Sequence, residues 1–146
     1  MRRASLLILS FAVLGCEPWG PLPGGRLSGE VAPNAPADWS FADEHEVVQI
    51  ETRPSDPYSV NLWGAGVGES FFVAAGEGET ADWAHHLLED PNVRLRVGDT
   101  IYELRAVRIQ DEAEVTRFMS ALRRKYEFEP TEEQRRDAWL FRLDAR

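Results

Sequence analysis

The stretch Glu69 to Asp90, ESFFVAAGEGETADWAHHLLED, carries the residues best spaced to hold a ligand. Phe71, Phe72, Val73 and Ala74 form a short apolar run of strand length. Gly76 and Gly78 break it. Thr80 is placed to cap a new helix, with Asp82 in its first turn, where negative charge is favourable. Trp83, Ala84, Leu87 and Leu88 share one helical face, and Pro91 closes the segment. The pattern is strand, glycine turn, helix. The small residues Ala74-Ala75-Gly76 let a ligand approach the backbone, and free N–H groups at a helix start can hold an anion such as a phosphate. The same residues also describe an ordinary strand-to-helix corner, since glycine turns are common.

Other chemistries find little support. His85 and His86 are adjacent, so on a helix they point about a hundred degrees apart and do not form a metal pair, which needs a spacing of three or four. His45 is remote in sequence. No Ser-His-Asp motif, metal cluster, Walker loop or dinucleotide fingerprint is present. No catalytic residue or metal ligand can be assigned from these patterns.

The segment resembles the deazaflavin-dependent nitroreductase family of flavin-binding split β-barrels. There, a strand ends in a small-residue turn, followed by a Trp-x-x-Asn-Leu helix and Asn-Pro. Here the turn is Ala74-Ala75-Gly76, the helix carries Trp83-Ala84-His85-His86-Leu87, and Asp90-Pro91 follows. The likeness runs from about Val47 to Leu143. It implies a bound FMN or deazaflavin, with the turn and the start of the helix at Thr80 on one side. It adds Arg53 and the strand Ser59-Val60-Asn61 as the opposite wall. His86 replaces the family's Asn as the polar contact, and Trp83 becomes a packing residue. Of the family's Gly-Arg-x-Ser-Gly loop, Thr52-Arg53 is retained here and the rest is shortened to Pro54-Ser55-Asp56-Pro57, without the glycines and further bases. Asp56 is a like charge to any phosphate. That departure weighs against a long polyanionic deazaflavin tail more than against FMN.

The elements that must position these residues alternate as a β-protein does. Val48 and Ile50 alternate with Gln49 and Glu51 in a first strand, Val47 to Thr52. Tyr58 to Trp63 follows, then a Gly64 to Gly68 hairpin loop, and Glu69 to Ala75. Val93, Leu95 and Val97 point inward, Gly98-Asp99 makes a two-residue turn, and Thr100 to Ile109 returns. Its pattern slips phase between Leu104 and Val107, which predicts a bulge near Arg105. Asp111 and Glu114 have capping-box spacing ahead of the clearest helix, marked by Val115, Phe118, Met119, Leu122 and Tyr126. A polar helical turn over Thr131 to Arg136 and a last strand, Trp139 to Leu143, complete an α+β split β-barrel of about six mostly antiparallel strands with two helices. Tyr126 completes the helix stripe. Tyr58, Trp63 and Trp139 could wall a flat aromatic ligand or pack the core.

The chain start reads as a targeting segment. Arg2 and Arg3 precede the apolar run Leu6 to Leu14, too short to span a bilayer but suited to a signal-peptide core. Val13-Leu14-Gly15-Cys16 resembles the bacterial lipoprotein signal, which implies cleavage before Cys16 and lipid on it. The alternative is that Cys16 is a buried residue of an N-terminal helix. Cys16 is the sole cysteine, so no internal disulfide can form. Glu17 in place of Asp points to the outer membrane in a two-membrane bacterium. Residues 1–15 are then a leader, 16–38 a Pro/Gly-rich tether reaching at most roughly 70 Å, and 39–146 the domain. Alternatively Trp19, Leu22 and Leu27 pack on the domain as an extended arm.

With 25 acidic and 16 basic residues, a net charge of −9 argues against nucleic acid and against charge-driven adhesion to anionic lipid. Membrane contact then comes through the anchor on Cys16. Two functions follow. One is a cell-envelope reductase that moves hydride from a reduced flavin or deazaflavin to a nitro compound or a quinone-like aromatic ligand. The other is an envelope binding module that kept the barrel and lost the cofactor.

Overall fold

The computed structural model describes residues 17–146. The expected leader, residues 1–15, and the expected lipidation site Cys16 lie outside the described residues. Eight strands form: β1 (Glu30–Val31), β2 (Val48–Thr52), β3 (Tyr58–Leu62), β4 (Gly64–Val67), β5 (Ser70–Ala75), β6 (Asn92–Val97), β7 (Thr100–Ile109) and β8 (Trp139–Ala145). Three helices accompany them: α1 (Asp82–Glu89), α2 (Glu112–Tyr126) and α3 (Glu132–Asp137). Seven strands pair antiparallel in the order β3-β2-β6-β7-β8-β5-β4, and β1 adds in parallel to the start of β7. The sheet curls into a half-barrel, and the α+β split barrel is borne out.

The inner face carries the main core. Val48 and Ile50 of β2, Val93, Leu95 and Val97 of β6, and Phe71 and Val73 of β5 all point inward, with Trp83, Ala84 and Leu87 of α1 against them. Trp39 is fully buried among the rings of Phe71 and Tyr102 at 5.0 and 4.9 Å. A smaller core lies on the outer side, where Phe72, Ile109 and Leu140 meet Phe118, Ala121 and Leu122 of α2. Asp111 caps α2 as expected, accepting the Glu114 N–H at 3.1 Å. Thr131 and Gln134 close a capping box on α3.

Four local expectations are corrected. Gly64–Val67 is strand β4 rather than loop, because its small residues admit bulky neighbours. A Cβ on Gly66 would sit 2.4 Å from that of Trp39. No bulge occurs near Arg105, since β7 keeps unbroken register with both β6 and β8. The phase slip has another cause. Leu104 and Ala106 face the inner core, whereas Ile101 lies under Gly29 of the N-terminal segment and Ile109 under α2. Thr80 does not cap α1. It ends a 3-10 turn and donates to Glu77 O, and Ala81 takes the cap position. Leu88 is exposed, outside the buried face of α1.

The segment read as a tether lies along the barrel as an arm. Leu27 is buried, whereas Trp19 and Leu22 are exposed. Polar contacts hold it: Glu17 pairs with Arg96 at 2.7 Å, and Gly24 and Ser59 exchange backbone hydrogen bonds at 2.8 and 2.9 Å. A segment too poor in apolar residues to fold alone is ordered by a polar sheet face that needs partners.

Candidate functional site

The turn between β2 and β3 and the helix α1 bring four side chains together. Arg53 follows the last residue of β2 in left-handed backbone, φ 53°, a conformation uncommon outside glycine. Its guanidinium lies 5.5 Å from the centre of the Tyr58 ring and 3.3 Å from Asp56, and its Nε is buried without a hydrogen-bond partner. Tyr58 in turn meets the His86 ring edge-on at 5.0 Å. Thr52 Oγ1 lies 2.9 Å from His86 Nδ1 and 3.3 Å from Tyr58 O. The Thr52 hydroxyl donates to that carbonyl, so we assign the proton between Thr52 and His86 to Nδ1, which leaves Nε2 as an acceptor.

Burial favours the neutral form of both shifted side chains in this cluster. Burial pushes His86 below its ordinary value of 6.5, and the Arg53 cation adds to the effect; the carboxylates of Asp82 and Glu89 oppose it. The imidazole is therefore neutral at neutral pH. Burial raises the Tyr58 hydroxyl, helped by Asp82, with Arg53 opposing. A neutral imidazole, an aromatic ring and a guanidinium with a spare donor make a surface for a planar ligand with one anionic group.

The remaining sequence-predicted residues are not gathered here. Ser59 and Asn61 project from the opposite face of β3, the face that pairs with Glu51 and Gln49. Ser59 is buried under the arm, and Asn61 donates to Gly20 O at 3.0 Å. Alternation along the strand explains this: Tyr58 and Val60 face α1, so their neighbours cannot. Ala75 points into the inner core. Ala74 and Gly76 line an apolar cleft of about 100 Å³ beside α2 and α3, smaller than the ~300 Å³ at which ligand pockets begin. Thr80 belongs to a separate cleft of about 370 Å³ with Glu77, Glu79, Arg136, Asp137 and Trp139. Three carboxylates against one guanidinium oppose an anionic cofactor there. Of the predicted set, Arg53 and His86 alone share one site.

Trp83 packs as expected, buried against Phe141 at 5.9 Å. His85 turns away from His86 toward Glu79 O at 2.6 Å and the Trp139 ring. Tyr126 is a packing residue: its ring stacks on Trp63 at 4.4 Å, and its hydroxyl accepts the Gly64 N–H at 3.1 Å. Thr52 was missed, although its place beside Arg53 in the shortened loop was a usable signal. Among the described residues, no group of three or more His, Cys, Asp or Glu could hold a metal.

Residues 50–136 match the sequence profile of the family described as F420H(2)-dependent quinone reductase. No curated relative matches the chain. Among solved structures, an F420-H2 dependent reductase superposes with a TM-score of 0.57 at 15% identity, over 68% of this chain and 95% of that one. A conserved hypothetical protein from Mycobacterium tuberculosis gives 0.57 at 18% identity, over 73% and 76%. HutZ, the heme storage protein from Vibrio cholerae, gives 0.56 at 16% identity, over 73% and 85%. At these identities the likeness establishes the fold.

Proposed function

This chain belongs to the F420H(2)-dependent quinone reductase family, and from that premise we propose that it is a reductase whose cofactor docks on Arg53, Tyr58 and His86. The observation that carries the reading is Arg53: a guanidinium held over an aromatic ring in left-handed backbone, with a buried Nε that lacks a partner. The side chain as a whole is 38% exposed, so the outer edge of the guanidinium can give charge-assisted hydrogen bonds to an anionic ligand.

The residues fit one phosphate and a planar ring better than a polyanionic tail, because Asp56 already pairs with the single guanidinium and the carboxylates of Asp82 and Glu89 act on the neighbouring His86. The proposed cofactor is therefore a deazaflavin bound chiefly through its ring, or FMN. When bound, such a cofactor supplies a hydride to a nitro or quinone-like acceptor. Arg53 would hold the anionic group, the Tyr58 ring would cover an apolar edge, and His86, oriented by Thr52, would offer Nε2 to a donor on the ring. We further propose that Cys16 carries lipid, which would place the enzyme in the cell envelope, on the outer membrane of a two-membrane bacterium.

A visible spectrum of the purified protein, then titration with FMN and with the deazaflavin coenzyme by fluorescence quenching, tests the cofactor. Micromolar binding that weakens in Arg53→Ala supports the reading. A second reading, a binding module without cofactor, is favoured by the acidic surroundings of Arg53. It becomes the better one when well-folded protein binds neither compound at high micromolar concentration.

A further inference from the structure

We propose that the turn Trp19-Gly20-Pro21-Leu22 is a membrane-contacting knob that fixes the barrel in one orientation on a lipid bilayer. The inference rests on the reading that residues 1–16 bring the chain to a membrane. Its own observations are separate. Trp19 and Leu22 are 78% and 58% exposed, the two most exposed large apolar side chains among the described residues. They flank one tight turn, closed by Trp19 N–H to Leu22 O at 3.1 Å and Leu22 N–H to Trp19 O at 2.9 Å.

The backbone of this turn is fitted to an environment short of water. Gly20 adopts left-handed φ 55°, Pro21 has no N–H, and Asn61 Nδ2–H donates to Gly20 O at 3.0 Å. Few polar groups would lose water on entering the bilayer interface, where unpaired ones are costly. Tryptophan favours that interface, with its ring at headgroup level.

The knob is also rigidly joined to the barrel. Glu17 lies two residues before Trp19, pairs with Arg96 at 2.7 Å and accepts the Ser28 hydroxyl at 2.6 Å. Pro18 is buried. The chain thus reaches the barrel surface one residue after Cys16, with no free tether between. A lipid anchor on Cys16 would hold the β2–β3–β6 face near the membrane, and Trp19 and Leu22 are exposed beside that face, where Asn61 of β3 bonds their turn and Arg96 of β6 pairs with Glu17. The net charge of −9 supplies no attraction to anionic lipid, so the partner is the apolar interface of a neutral bilayer.

The test reconstitutes the protein as extracted from membranes, with its anchor in place, into phosphatidylcholine vesicles containing brominated acyl chains, which quench tryptophan at the interface. Trp19→Phe is expected to remove more than half of the quenching. Trp63→Phe, which alters another exposed tryptophan, should leave it intact. Near-UV circular dichroism checks that both variants fold. Protein that stays vesicle-bound through Cys16 while Trp19→Phe quenches like wild type overturns this inference and leaves the anchor standing. Wild-type protein that does not associate with the vesicles overturns both. Trp19 shielded by concentration-dependent self-association assigns the knob to a second copy and also overturns it.

Discussion

The Glu51 carboxylate lies 2.8 Å from the Arg94 guanidinium beneath the N-terminal arm, with a side chain only 1% exposed. The same oxygen accepts the Leu27 N–H at 2.7 Å, and Arg26 stands 3.6 Å from the other. One acid therefore joins two strands of the sheet to the arm. Removing one partner of a buried ion pair is far costlier than replacing the whole pair, because it strands a charge. Arg94→Met is expected to destabilise the fold by about 3–5 kcal/mol in urea unfolding. Limited proteolysis should then cut first between residues 17 and 30. Unchanged stability would show that Arg26 alone compensates Glu51.

Two glycines two residues apart should respond oppositely. A Cβ at Gly78 would lie 2.0 Å from Trp139 Cγ, whereas one at Gly76 meets nothing within 4 Å. Gly78→Ala should lower stability by about 1–3 kcal/mol, the usual cost of overpacking. Gly76→Val should fold with an unchanged melting temperature. It therefore tests whether a cofactor reaches the turn: lost flavin binding in Gly76→Val would place the ligand against it, and retained binding would confine the ligand to Arg53 and His86.

Arg53→Ala should weaken cofactor binding by about 1–3 kcal/mol, the range for a hydrogen bond to a charged group. Arg53→Lys should keep the charge but lose the planar, multi-donor contact of the guanidinium. Equal affinity in wild type and Arg53→Ala, measured by fluorescence titration, would remove Arg53 from the site.

His86 makes stability depend on pH. Its folded value is depressed by burial and by Arg53, so below about pH 6.5 the unfolded chain takes up a proton that the folded chain resists. The contribution is fully present above that pH and is lost as pH falls toward the folded value. Wild type should lose more stability between pH 7.5 and pH 5 than His86→Gln, as read from urea midpoints. Parallel losses would show that other groups carry the acid sensitivity.

Mass spectrometry of membrane-extracted protein should find acyl chains on Cys16. Cys16→Ser should accumulate as an uncleaved or mislocalised precursor. A wild-type protein with intact Met1 or without lipid would end the anchor proposal.

Much of the fold was legible in the sequence because periodicity is a local property. Val93, Leu95 and Val97 alternate since one face of β6 meets the inner core, and Asp111 with Glu114 marks the start of α2 since a cap needs only its own turn. The small-residue turn, the Trp83 helix and Arg53 were enough to place the chain in its family. What the tertiary structure alone decided was which faces are covered, and by what. Ile101 and Ile109 look out of phase until the arm and α2 are seen to bury the outer side of β7. Gly64 and Gly66 signal a loop until Trp39 and Phe71 are seen to need their missing side chains. Ser59 and Asn61 sit next to Tyr58 and Val60 in sequence, yet the pleat sends them to the arm while Tyr58 turns to His86. A site is a property of one face, and the face a residue occupies depends on packing from elements distant in the chain.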